Sequence, residues 1–187
     1  MRNWEREFRR RFPTVRQKDE IVPYIRKLLR QAANQKGMTG MIVITDLDGT
    51  LCDIEHRLHL IQGEEKDWDT FSKECINDPC ILPVAEAIRA MKLAGHTIWA
   101  WTGRSAIAAD ETKTWLMQND VPVDMILMRP VDCFIPDHQL KKEWLEWHES
   151  YGVNHLQILG VFEDRDSVVK MWRDKGYLVF QPALGDF

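Results

Sequence analysis

The chain has 187 residues, of which 44% are hydrophobic and 29% charged, ordinary globular values that exclude disorder over most of the length. That length suits one domain with a small appendage, able to bury a core without disulfides or a structural metal. The net charge of −4 is divided unevenly: eleven Lys and Arg against four Asp and Glu leave residues 1–37 at +7, while the other 14 basic and 25 acidic residues leave the remainder at −11.

Residues 1–36 read as helical. Trp4, Phe8 and Phe12 form one apolar stripe, with Arg6, Arg9 and Arg10 off it. Pro13 ends that segment. A second amphipathic run carries Ile21, Ile25, Leu28, Leu29 and Ala32, and Gly37 closes it. The N-terminus has acids and no apolar h-region, unlike a secretory signal. No apolar stretch reaches the ~20 residues of a membrane span, so the expectation is a cytoplasmic protein without a membrane partner. The four cysteines include no Cys-x-x-Cys pair, so four free thiols are expected rather than a zinc cluster.

From Met41 the pattern changes to short apolar runs rich in β-branched residues. Strands are expected at Met41–Thr45, Thr97–Trp101, Met125–Met128, Leu156–Phe162 and Tyr177–Gln181. Helices are expected at Pro83–Leu93, Ala106–Gln118, Gln139–Glu149 and Ser167–Lys175, with Gly95 and Gly176 at helix stops. This alternation predicts an α/β fold, a Rossmann-like parallel sheet with helices on both faces. The segment Asp53–Pro83 exceeds a simple connection and reads as a small helical flap or cap. In such sheets ligands bind beyond the carboxyl ends of the strands.

Polar residues cluster at those ends. The first strand runs into Asp46-x-Asp48-Gly49-Thr50, two carboxylates able to hold a divalent cation, or to attack phosphorus and shuttle a proton. Thr50, Cys52 and Arg57 at the later ligand positions exclude a calcium hand. The second strand leads into Thr102-Gly103-Arg104, a hydroxyl before a helix start, where Arg104 is either a phosphate contact or a solvated charge. Lys141 and Lys142 open a helix against its dipole, so one of them suits an anion. Glu163-Asp164 follows a buried strand and again suits a metal. His56 and His59 lie three apart without a third ligand, which favours a structural role. Trp99, Trp101, Trp144 and Trp147 read as packing residues. Trp68 and Phe71, in the flap, either stack on a base or pack in the core, and the core is favoured.

The motifs Asp46-Leu47-Asp48-Gly49-Thr50-Leu51, Thr102-Gly103-Arg104, Lys141 and Glu163-Asp164 resemble the haloacid-dehalogenase-like (HAD) hydrolase superfamily. Within it, the chain is similar to the 3′-phosphatase domain of bacteriophage polynucleotide kinase. Arg57 stands eleven residues after Asp46, and Asp137 four before Lys141, as in that family. The tail from Asp164-Arg165 through Met171-Trp172-Arg173 to Gly185-Asp186-Phe187 is similar too. The likeness covers roughly 41–187, which divides the chain into a basic helical extension (1–40) and a HAD-like phosphatase domain (41–187). One departure is Glu163, where the family usually has aspartate. No Gly-x-x-x-x-Gly-Lys-Ser/Thr stretch occurs, so the kinase half is not expected here.

The resemblance implies that Asp46 is the nucleophile and forms an aspartyl-phosphate, with Asp48 as general acid and then base. An arriving dianion is expected to raise the Asp48 pKa. It implies Mg²⁺ at Asp46, the Asp48 carbonyl and Asp164, with Glu163 assisting. Arg57, Thr102, Gly103, Arg104, Asp137 and Lys141 become phosphate or substrate residues, with Lys142 as the alternative lysine. The expected substrate is a 3′-phosphate on a polynucleotide end or nucleotide. The alternatives are a phosphatase of free deoxynucleoside monophosphates and a non-catalytic nucleic-acid adaptor. The N-terminal helices are expected either to dock on the body or join a homo-oligomer, or to track a nucleic-acid backbone.

Overall fold

A computed structural model of the chain describes residues 40–185. The expected N-terminal helices and the last two residues of the tail lie outside the described residues.

Five strands form one sheet: β1 (Ile42–Thr45), β2 (Thr97–Ser105), β3 (Met125–Arg129), β4 (Ile158–Phe162) and β5 (Val179–Phe180). They run in the order β3-β2-β1-β4-β5, and every pairing is parallel. The helices are α1 (Trp68–Lys73), α2 (Leu82–Leu93), α3 (Ala109–Gln118), α4 (Asp137–Ser150) and α5 (Asp166–Asp174). The run Val43-Ile44-Thr45 is buried, as a central strand covered on both faces requires. From β1 the chain builds outward through β2 to β3, then returns to lay β4 on the other side of β1. The crevice at the end of β1 is therefore the topological switch point, where such sheets bind ligands.

Period-two alternation along β2 divides the core. Ile98 and Ala100 pack with Val43, Ala85, Ile88 and Trp115 on one face. Trp99 and Trp101 point to the other, where their rings stack 6.3 Å apart. Trp101 meets Trp144 of α4 at 5.9 Å and Trp172 of α5 at 5.6 Å. Into this aromatic layer α4 inserts His148, 4.9 Å from Trp101 and 5.1 Å from Trp99. The imidazole Nδ1–H donates to the Trp144 carbonyl at 2.7 Å. Burial pushes its pKa down to about 4, against that bond.

Several boundaries differ from the sequence expectation. The second strand continues through Thr102-Gly103-Arg104 to Ser105, because β3 pairs with it as far as Arg129. A 3₁₀ turn at Ala106–Ala108 precedes α3, so Thr102 does not adjoin a helix start. Helix α4 begins at Asp137, directly after Pro136, which puts Lys141 and Lys142 in its second turn rather than at its opening. Leu156 is exposed and lies ahead of β4. The last strand shrinks to two residues at the sheet edge. The flap is helical as expected, with 3₁₀ turns at Glu55–Ile61 and Glu74–Asn77 flanking α1. All four cysteines are free.

Candidate active site

Main-chain pairing builds the site. The Asp46 N–H donates to the Phe162 carbonyl at 2.9 Å, which sets the end of β1 beside Glu163 and Asp164 at the end of β4. Ligand oxygens of Asp46, Glu163 and Asp164 all lie within 4.8 Å of one another, and all three residues are buried. Lys141 reaches in from α4, 2% exposed, and donates to Asp46 Oδ1 and Glu163 Oε2, each at 2.6 Å. The Thr50 hydroxyl donates to Asp164 Oδ1 at 2.8 Å. Lys142 is solvent-exposed and lies 4.0 Å from Glu146, so the structure brings Lys141, and not Lys142, to the carboxylates.

One ammonium cannot neutralise three carboxylates. Burial, with the mutual repulsion of the acids, raises the pKa of Asp46 well above its ordinary value despite Lys141. Glu163 and Asp164 are raised too, again chiefly by burial. Burial opposes the Lys141 charge, but Asp46 and Glu163 outweigh it and push its pKa up. The cluster thus lacks positive charge and offers only hard oxygen ligands, which fits a divalent cation such as magnesium.

Asp48 faces a different set. Its Oδ1 accepts from Arg57 Nη2 at 2.6 Å and from Arg104 Nη2, and its Oδ2 accepts from Arg104 Nε at 3.4 Å. Burial pushes the Asp48 carboxyl up, but the two guanidiniums outweigh it and hold it at about 2. Arg57 is wholly buried and also donates to both oxygens of Asp78, at 2.7 Å each. Arg104 donates to the Thr112 hydroxyl at 3.0 Å. Both arginines are therefore turned onto carboxylates of their own chain. Thr102 is buried, and its hydroxyl accepts the Arg104 main-chain N–H at 3.1 Å.

Asp137 sits one turn before Lys141 on α4 and is clamped by Arg129 and by Arg165, the latter at 2.8 Å. Its carboxylate lies against Gly103, where an added Cβ would fall 2.4 Å from Oδ1, so a larger residue there would have to push the clamped carboxylate aside. Gly185 meets the same limit: its Cβ would lie 2.5 Å from Asp164 Oδ2. His56 and His59 do not converge. His56 bonds Asp78 at 2.8 Å, and His59 bonds the His56 carbonyl. Of the flap aromatics, Phe71 is buried as expected, but Trp68 is 49% exposed and does not join the core.

Sequence reasoning missed Asp78, the buried partner of Arg57, which lies in an irregular flap with no periodic signal. It also missed Arg129, which bonds the Gly103 carbonyl at 2.7 Å as well as Asp137. A charged residue ending a buried strand was the available signal for Arg129, the same signal that marked Asp46 and Glu163.

A family model for the polynucleotide kinase PNKP phosphatase domain matches residues 40–187. A protein of Autographa californica nuclear polyhedrosis virus, named as a bifunctional polynucleotide kinase/RNA ligase, is 28% identical over 134 residues, which is 71% of this chain and 18% of that protein. Among solved structures, two of a Pnkp1/Rnl/Hen1 complex are 26% identical with TM-scores of 0.63 and 0.64. They cover 82% of this chain and 50% and 46% of the matched chains. A class C acid phosphatase from Bacillus anthracis shares the fold at 15% identity and a TM-score of 0.53, over 85% of this chain and 74% of its own. This chain thus spans half or less of the polynucleotide kinase relatives it matches. Among the described residues, no helix is long and apolar enough to cross a membrane.

Proposed function

The chain belongs to the polynucleotide kinase PNKP phosphatase domain family of HAD-type phosphatases, and from that premise we propose that it hydrolyses 3′-phosphates on polynucleotide ends or nucleotides, with residues 41–187 as the catalytic part. The observation that carries this reading is the convergence of Asp46, Lys141, Glu163 and Asp164 in one buried cluster, with Asp48 two residues from Asp46 and held by its own pair of arginines.

In this reading the Asp46 carboxylate attacks phosphorus. The bond to the leaving alcohol oxygen breaks, and Asp48 protonates that oxygen. Asp48 then takes a proton from water, whose oxygen displaces Asp46 and releases inorganic phosphate. Magnesium held by Asp46, Asp164 and Glu163, with the Asp48 carbonyl, supplies charge neutralisation for the phosphoryl oxygens when bound. Lys141 balances the charge of the nucleophile and of the incoming phosphate. Gly103 lies against Asp137, and Thr102 offers its hydroxyl proton to a phosphoryl oxygen.

Arg57 and Arg104 act through Asp48, keeping its carboxylate aimed and ionised. An arriving phosphoryl group competes for those guanidiniums and adds negative charge. Both effects raise the Asp48 pKa and let it load the proton it delivers.

The test is phosphate release from a 3′-phosphorylated oligonucleotide, its 5′-phosphorylated isomer, nucleoside monophosphates and an aryl phosphate, with and without Mg²⁺. The 3′-isomers should turn over in a Mg²⁺-dependent manner and faster than the 5′-isomers. Equal rates on 3′- and 5′-phosphates would favour a general nucleotide phosphatase.

A further inference from the structure

The general acid marks one side of the scissile bond. Whatever Asp48 protonates is the leaving group, so the leaving alcohol lies toward Asp48. Arg57 and the flap wall that side. The Arg57 guanidinium lies 4.2 Å over the Phe71 ring and donates to the Phe71 carbonyl at 2.9 Å. Trp68 packs edge-on against Phe71, centroids 5.9 Å apart at 82°. One ring therefore separates the exposed indole from the guanidinium that holds Asp48.

Trp68 is also fixed in place. Asp67 caps α1 by accepting the Thr70 N–H at 2.9 Å, and its own N–H donates to the Leu60 carbonyl at 2.9 Å. An aromatic ring anchored on one edge yet 49% exposed is a surface prepared for another flat, apolar group. The surroundings limit what that group is. Glu64, Glu65, Asp67 and Asp69 are all exposed on and beside its turn, outnumbering the two lysines there: Lys66, 5.8 Å from the ring centroid, and Lys73, which attracts Asp67. Such a rim repels a phosphate backbone but tolerates an uncharged base.

We propose that Trp68 is a specificity-determining residue, the platform on which the base of the leaving nucleoside stacks. This rests on the reading of the site as a nucleotide 3′-phosphatase. The acidic rim restricts the contact to the terminal nucleoside, so a nucleoside 3′-monophosphate uses it as fully as an oligonucleotide does.

The experiment compares kcat/KM for a nucleoside 3′-monophosphate and for glycerol phosphate, which has no ring, in the 187-residue chain and in its Trp68→Ala, Trp68→Phe and Phe134→Ala variants. Phe134 is the control because it is an exposed aromatic in the loop after β3, at the same end of the sheet. In Trp68→Ala the preference for the nucleotide over glycerol phosphate should fall about tenfold, the scale of one base–aromatic stack, chiefly through KM. Trp68→Phe should restore most of it, and Phe134→Ala should keep it. A ratio unaltered by Trp68→Ala, or lost in Phe134→Ala instead, overturns the platform alone. A wild-type protein that cleaves glycerol phosphate as well as the nucleotide overturns the nucleotide reading and the platform with it.

Discussion

Asp46 carries the sharpest test at the residue scale, because its chemical and structural roles separate. Asn is nearly isosteric, so Asp46→Asn should lower kcat at least about 10³-fold. It also removes one of three carboxylates that share a single ammonium, so Tm should not fall. Phosphate release and a thermal melt check both, and activity within tenfold of wild type would remove Asp46 from the nucleophile role. Asp48→Asn should cost about 10²–10⁴-fold on alkyl phosphates but much less on an aryl phosphate with a good leaving group, which needs no proton. A burst assay that finds the first step slowed equally for both would refute the acid assignment. These residues were legible because their signal is local: a buried β-branched run that stops at a charge. Asp78 was not, since its value lies in meeting Arg57 across the flap, a tertiary choice that no spacing encodes. The burial of Arg57 itself was equally hidden, because an arginine reads as a surface residue until its carboxylate partners are known.

Helix α4 shows the next scale, serving the site with one residue and the core with others. Lys141 points to the carboxylates while Trp144 and His148, three and seven positions on, enter the tryptophan layer over β2. The indole N–H groups of Trp99, Trp101 and Trp172 and Nε2 of His148 have no hydrogen-bond partner there, so apart from the His148–Trp144 bond the layer is held by ring packing, and charge is unwelcome in it. His148 is pushed to about 4 in the fold from 6.5 when unfolded. The unfolded chain therefore binds the extra proton first, and stability is lost as pH falls from about 6.5 to about 4. The loss attributable to this group is about 3 kcal/mol. Urea titrations at several pH values should show that His148→Phe lacks this component, and a wild-type-to-variant gap constant from pH 7 to pH 4 would contradict it. The alternation of Trp99 and Trp101 made the layer partly readable. The boundaries were not, because the length of β2 follows from how far β3 pairs with it, and Pro136 rather than the lysines starts α4.

At the scale of the whole molecule, charge is split between a +7 segment and a −11 remainder. No residue assigned to the site precedes Asp46, so deleting residues 1–39 should leave aryl-phosphate kcat/KM within about twofold. A chain that tracks a phosphate backbone through those residues would lose activity selectively on 3′-phosphorylated oligonucleotides, most at low salt, where the phosphate contribution is largest. Equal ratios for both substrates at two salt concentrations would remove that role. The parallel sheet was readable from strand–helix alternation. Its strand order was not, because the order is fixed by which edges meet in space, and it is the return of β4 to the other side of β1 that creates the crevice.

The uneven placement of the indoles makes the protein readable by light. Trp99, Trp101, Trp115, Trp144, Trp147 and Trp172 are each 9% exposed or less, against 49% for Trp68. Among the described tryptophans, a dissolved cationic quencher such as caesium, which the acidic rim attracts, therefore collides with Trp68 and is screened from the rest. In a Trp4→Phe variant, which leaves only the described tryptophans, the quenchable, red-shifted fraction of the emission is the signal of Trp68. A bound base that covers that ring shields it from the quencher, so occupancy can be followed at equilibrium without turnover or a label.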